Sequence, residues 1–224
     1  NKLGVIVDAE GTRANRIEEN RVCVSMVERV IRRFNLKPER LATDTAYGSG
    51  KALKALIDHN IDPHVPVIVK SKRTDGTFSR ADFKYNKERD VYTCPHGHTL
   101  KTTGNVHSDD TLRYLASTKD CRSCPLKAGC CPNTPQHKIP HDINEDARDY
   151  ARALAETKAF KISSDERKKV EMAFAHMKRI LKLDRFRLRG LSGVRDEVLL
   201  TAMAQNLRKL AKYVSRPPPI HNTA

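Results

Sequence analysis

The chain has 224 residues, with 42 Lys and Arg against 27 Asp and Glu and a net charge of +15. That surplus selects a polyanionic partner, nucleic acid first, and no apolar run approaches the length of a bilayer span. Hydrophobic residues make up only 38% of the chain, but they recur at regular spacing, so a core is feasible.

Without a secretory leader, the expected compartment is the cytoplasm. The first residue is Asn1 rather than Met, which reads as a fragment or a processed product. In chain order, GVIVDAEGT (residues 4–12) predicts a short buried strand ending in a turn. RIEENRVCVSMVERVIRRF (16–34) predicts an amphipathic helix, with Ile17, Val24, Val27, Ile31 and Phe34 on one face. Cys23 borders that stripe and reads as a small core residue. ERLATDTAYGSG (39–50) gives a strand that stops at Asp44 and enters a loop. KALKALIDHN (51–60) follows as a short helix with Leu53, Leu56 and Ile57 inward, then PVIVK (66–70) as a third strand. This alternation predicts a parallel sheet covered by helices. Ligands of such sheets bind beyond the carboxyl ends of the strands, where Asp44 stands.

From about residue 71 the pattern changes to alternating residues and turn signals, as in an antiparallel meander. The cysteine cluster DCRSCPLKAGCCP closes this block, which reads as an insertion. Helical periodicity resumes over NEDARDYARALAETKAF (144–160), capped by Asn144, and again over roughly 165–182. The last helix, VRDEVLLTAMAQNLRKLAKYV (194–214), is expected to bury Val198, Leu199, Ala202, Met203, Leu207, Leu210 and Val214. Prolines 217 to 219 keep the tail out of helix, and it is expected to be disordered.

The stretch RKKVEMAFAHMKR (167–179) sets one carboxylate, Glu171, among Arg167, Lys168, Lys169, Lys178 and Arg179. Val170, Phe174, Met177 and Leu181 form its apolar stripe, and Glu171 lies beside that stripe. On geometry alone, the reading is a solvated Glu paired with its neighbours. His176 has the wrong phase to join Glu171 and reads as a surface or packing residue.

The segment resembles the Y-x2-R-x3-E-x6-K signature of DDE transposases of bacterial insertion sequences, with Arg167, Glu171 and Lys178 at the R, E and K positions and Ser164 where the family has Tyr. LATDTAYGSG resembles that family's segment around its second catalytic aspartate, matching at Asp44 and Tyr47. FKYNKERDVYTCPHGHTL and DCRSCPLKAGCCP resemble the cysteine-containing insertion of one subgroup. The resemblance covers nearly the whole chain, as the carboxy-terminal part of such a transposase. It implies an α/β, RNase H-like (retroviral-integrase-like) fold interrupted by a small cysteine-rich β insertion. Residues 1–70 would form its first part, 71–143 the insertion, 144–215 the helical second part and 216–224 the tail.

The resemblance further implies Asp44 and Glu171 as catalytic Mg²⁺ (or Mn²⁺) ligands, with Arg167, Lys168, Lys178 and Arg179 on DNA. The implied reaction is metal-dependent strand cleavage at transposon ends and strand transfer to target DNA, by a homo-oligomer on double-stranded terminal inverted repeats, in a bacterial, nucleoid-associated setting with no membrane. The family's first aspartate lies on an earlier strand. Asp8 reads as a turn residue rather than its substitute, so this chain alone is expected to be inactive. The alternatives are a non-catalytic DNA-binding remnant and a structure-specific nuclease.

Five of the six cysteines fall between residues 94 and 131, which in a basic cytosolic protein suggests metal over disulfides. Cys121-x2-Cys124 has knuckle spacing, and Cys94 with Cys130 or Cys131 would complete a structural Zn²⁺ site, His96 or His98 standing in for a cysteine. A metal-free reduced cluster or a local disulfide is the other reading. Arg167, Lys168, Lys169, Lys178, Arg179, Lys182, Arg185, Arg187 and Arg189 form a basic zone suited to phosphate contact.

Overall fold

A computed structural model describes residues 4–12, 16–67 and 76–214. Two units emerge, Asn1–Pro66 with Tyr150–Ala224, and Val67–Asp149.

In the first unit, α1 (Arg16–Phe34) precedes a parallel pair of strands, β1 (Arg40–Ala42) and β2 (Asp62–His64), joined through α2 (Gly50–Asp58). The register sets Arg40 opposite Asp62, Leu41 opposite Pro63 and Ala42 opposite His64. Asp62 N–H donates to the Glu39 carbonyl at 2.9 Å. Pro63, one residue on, therefore faces away from β1, where its missing N–H costs the pair no bond. Ser49 caps α2 by accepting from Ala52 N–H at 3.3 Å. Leu53, Leu56, Ile61 and Val65 are fully buried, and α1 lays Val27 and Ile31 against this core.

The second part of this unit is helical. α5 (Glu145–Ala155), which belongs to this unit from Tyr150 on, ends before Thr157, whose hydroxyl accepts from Phe160 N–H at 3.1 Å and starts α6 (Lys158–Arg179). The break between two helices thus falls at Thr157, not past residue 160. α7 (Gly190–Val214) follows. It starts at a left-handed Gly190, and Gly193 lies so close to Leu188 that an added Cβ would stand 2.6 Å from the Leu188 Cβ. Glu197 accepts from the backbone N–H groups of Arg187 and Leu188, folding the preceding loop back on the helix.

Three expectations are corrected here. Residues 4–12 form no strand. The Asn206 side chain holds Ile6 instead, accepting from its N–H at 2.9 Å and donating to its carbonyl at 2.7 Å. The third strand lies at Asp62–His64, and residues 65 to 67 are not strand; 68–70 fall outside the described residues, as do the tail 216–224 and the Ile17 side chain. The helical apolar rows are also less buried than their pattern predicts. Met177 and Ala202 are buried, but Phe34, Val170, Phe174, Leu199, Met203, Leu207, Leu210 and Val214 are exposed. Val198 and Leu181 are half-buried. The reason is size. A 22-residue helix is about 33 Å long, and three-residue strands cover about 10 Å.

The second unit is a five-stranded antiparallel meander in sequence order, β3 (Lys84–Asn86), β4 (Val91–Thr93), β5 (Thr99–Thr102), β6 (Thr111–Leu115) and β7 (Lys138–Asp142). The fifth strand follows the cysteine cluster and was not apparent in the sequence pattern. Two short helices, α3 (Thr118–Arg122) and α4 (Lys127–Cys130), fill the connection from β6 to β7. Phe83, Tyr92, Leu100, Tyr114 and Ile139 form the core with Cys121 and Cys131. Burial raises the Tyr92 phenol to about 12, and its hydroxyl meets His141 Nδ1 at 2.7 Å.

α6 is fastened to the parallel pair by polar contacts. Ser163 Oγ and His64 Nδ1 share a buried hydrogen bond of 2.8 Å, and Phe160 packs 5.6 Å from the His64 ring. Arg40 pairs with Glu166 at 3.2 Å.

Two outcomes follow for stability. Leu53→Ala should cost about 3 kcal/mol by leaving a cavity in the first unit, read as a lower urea midpoint. Burial holds the His64 imidazole below its ordinary value of 6.5, with the Arg40 charge acting in the same direction. The unfolded chain therefore binds the proton first. Stability is full above the unfolded value and is lost as pH falls towards the folded one. The urea midpoint should drop between about pH 7 and pH 5, and His64→Gln should flatten that slope, leaving the part due to His141, which burial also lowers.

Candidate active site

Asp44 stands two residues past the end of β1. Its backbone is extended, and one carboxylate oxygen accepts from Ala46 N–H at 2.9 Å, capping a single 3₁₀ turn over Thr45–Tyr47. The residue is exposed at the carboxyl end of the parallel strands. Glu171 lies on α6, two turns beyond the buried Ser163. Eight residues of helix span about 12 Å, which carries Glu171 from the layer of His64 towards the strand ends.

Arg167 joins the two elements. Its Nη1 donates to the Thr43 carbonyl, the residue before Asp44, at 3.2 Å. Its Nη2 lies 3.4 Å from Glu171 Oε1. One guanidinium thus spans from the backbone beside Asp44 to the Glu171 carboxylate. Both carboxylates remain exposed to a ligand.

The other predicted residues divide by partner. Lys168 pairs with Asp165 of its own helix at 2.8 Å. Lys178 and Arg179 are exposed in the last turn of α6. His176 contacts Arg208 of α7. Asp8 pairs with Arg29 at 2.7 Å, and Glu10 pairs with both Arg29 and Arg195, at 3.0 and 2.7 Å. Asp8 is thus tied to α1 through an ion pair, in a segment with no turn assigned to it.

A divalent cation that prefers hard oxygen ligands suits the donor type of Asp44 and Glu171. The number is short of a full set: among the described residues, no three His, Cys, Asp or Glu side chains are gathered to hold a metal ion. Arg40, Thr43, His64, Ser163 and Glu166 escaped the sequence reading. A small polar residue one turn before Arg167, on its face, was the available signal for Ser163.

In the second unit, Cys94 follows β4 and opens a tight turn. Its N–H donates to the His98 carbonyl at 2.8 Å, and Gly97 N–H donates back to Cys94 at 2.9 Å. Gly97 takes a left-handed φ of 87° there. Cys121 lies on α3, Cys124 just beyond it, Cys130 at the end of α4 and Cys131 next. All six cysteines are free thiols. Burial pushes the Cys130 thiol up to about 12 and raises Cys121. Cys23, half-buried in α1, is pushed up to about 11 by burial.

No helix among the described residues is long and apolar enough to cross a membrane. No curated protein and no solved structure matches the chain significantly. Residues 93–211 match the family model of the transposase DDE domain. The match takes in Arg167, Glu171, Lys178 and the cysteines from Cys94 to Cys131, and begins after Asp44. It covers more than half of the chain, which therefore belongs to the transposase DDE domain family.

Proposed function

We propose that this chain supplies two carboxylates, Asp44 and Glu171, to metal-dependent DNA strand cleavage and strand transfer at transposon ends. The observation that carries the reading is the Arg167 guanidinium, shared between the backbone beside Asp44 and the Glu171 carboxylate. That guanidinium links a strand end to a late helix, 127 positions apart (171 − 44), which supports reading the two carboxylates as one site. The reading includes an RNase H-like fold for the first unit and an insertion for residues 71–143.

Bound there, Mg²⁺ or Mn²⁺ would activate water and stabilise the leaving alkoxide in an in-line displacement. The chain's own residues do the positioning. Asp44 keeps a carboxylate oxygen beyond the one engaged by Ala46. Arg167 limits the rotamers of Glu171 and offsets its charge. Lys178 and Arg179, exposed beyond it, suit phosphate oxygens of double-stranded DNA, and Lys168 can exchange Asp165 for one. The third carboxylate would come from outside the described residues, in a homo-oligomer assembled on the terminal repeats.

A second reading, a DNA-binding relic without chemistry, is favoured by one fact: among the described residues no three His, Cys, Asp or Glu side chains gather to hold a metal ion, and Glu171 already faces an arginine.

The test is cleavage of a labelled transposon end by the full-length transposase with Mg²⁺. Glu171→Ala should lower cleavage by more than about a hundredfold while DNA affinity stays within about threefold. An equal loss of affinity would overturn the metal-ligand role. A wild-type protein that binds ends but never nicks them would establish the relic. Lys178→Ala should weaken binding to all sequences and reduce the salt slope of log K by about 1, measured by fluorescence anisotropy.

A further inference from the structure

Five thiols line one small void in the second unit. Cys94, Cys121, Cys124, Cys130 and Cys131 surround it together with His98, Asp120, Lys127 and His137. They arrive on separate segments: the turn after β4, α3, the link beyond it and the end of α4. We propose that this void binds one zinc ion through four thiolates, those of Cys94, Cys121, Cys124 and one of the adjacent pair Cys130 and Cys131.

Four features support the assignment. First, the helices that carry the cysteines cannot stand alone. α3 has five residues and α4 four, far below the length at which an isolated helix is stable. The connection from Ala116 to His137 needs another tie, and its thiols are the groups it turns inward. Second, the backbone is shaped for sulfur. The Cys94 turn is closed at both ends, by Cys94 N–H to His98 and by Gly97 N–H to Cys94. Third, a cation is at hand. A four-thiolate zinc centre carries two net negative charges, and Lys127, which lines the same void beside Asp120, offsets one of them. Fourth, the class of ion follows from the donors. Thiolates select soft or borderline cations over Mg²⁺, and four protein ligands leave no open position, so the ion is structural.

The thiols stand packed as small hydrophobic groups, with no three of them drawn to a common point. Metal uptake then consists of four proton losses and rotation of cysteine side chains onto one ion at about 2.3 Å. His137 stays out of the ligand set. Its Nδ1 lies 3.4 Å from Cys130 Sγ and 3.2 Å from the Cys130 carbonyl, and its ring stacks on Phe83.

The experiment measures the metal content of the full chain, purified reduced and without chelator, and then replaces the ion with Co²⁺. The expected result is about one zinc per chain, and on cobalt exchange a thiolate charge-transfer band with tetrahedral d–d absorption. Cys94→Ser, Cys121→Ser and Cys124→Ser should each abolish that spectrum. Cys23→Ser, in the other unit, should keep it. Of Cys130→Ser and Cys131→Ser, one should lose it, identifying the fourth ligand. Should the serine variants misfold, the wild-type cobalt spectrum decides alone. A wild-type chain with no bound zinc and no charge-transfer band on adding Co²⁺ overturns the proposal. So does a native disulfide among these cysteines, or a Cys94→Ser variant with the wild-type spectrum.

Discussion

The contact on which the first unit most depends is polar. α6 lies along the parallel pair through Ser163 on His64, Glu166 on Arg40 and Arg167 on the Thr43 carbonyl, one after another along the helix. Apolar burial on this helix is sparse, with only Met177 among its hydrophobic residues fully out of solvent. Hydrogen bonds are directional where apolar contacts are not, so this row fixes the rotation and sliding of α6 as well as its attachment. Glu171, one turn beyond Arg167, takes its place from that row. The buried Ser163–His64 bond is the costly member, because loss of one partner leaves a desolvated group unpaired.

This row also accounts for a lone carboxylate in a basic stretch. The cations around Glu171 are not equivalent. Arg167 is turned inward and holds two oxygens, and Lys168 is engaged by Asp165. Lys178 and Arg179 are left exposed at the end of the helix. The chain's excess of positive charge is therefore organised locally, part of it spent on geometry and part of it open to an anion.

Much of this was legible in the sequence, and the lapses have physical causes. Asp44 at a strand end, α2 with Leu53 and Leu56 inward, and the meander after residue 71 follow from periodicity and turn residues, which are local signals. β7 was missed because Lys138, Pro140 and Asp142 alternate with few apolar residues, and its place is given by pairing with β6, a non-local contact. The burial of α7 was misjudged because a helical stripe reports a capacity to be covered. Here the packed face uses Gly193, Ala202 and Gln205, with Asn206 held to the Ile6 backbone. Segment 4–12 looked like a strand since Val5, Ile6 and Val7 favour extended backbone, but it joins no ladder. For the site, residue types could be read from the pattern; the guanidinium bridge could not, because it joins positions 43, 167 and 171.

Pro63 gives the small sheet a handed edge. Facing away from β1, its ring nitrogen offers no donor, so the outer side of β2 cannot template a continuous ladder. A further strand on that side, from this polypeptide or another, would miss the bond that Pro63 cannot donate.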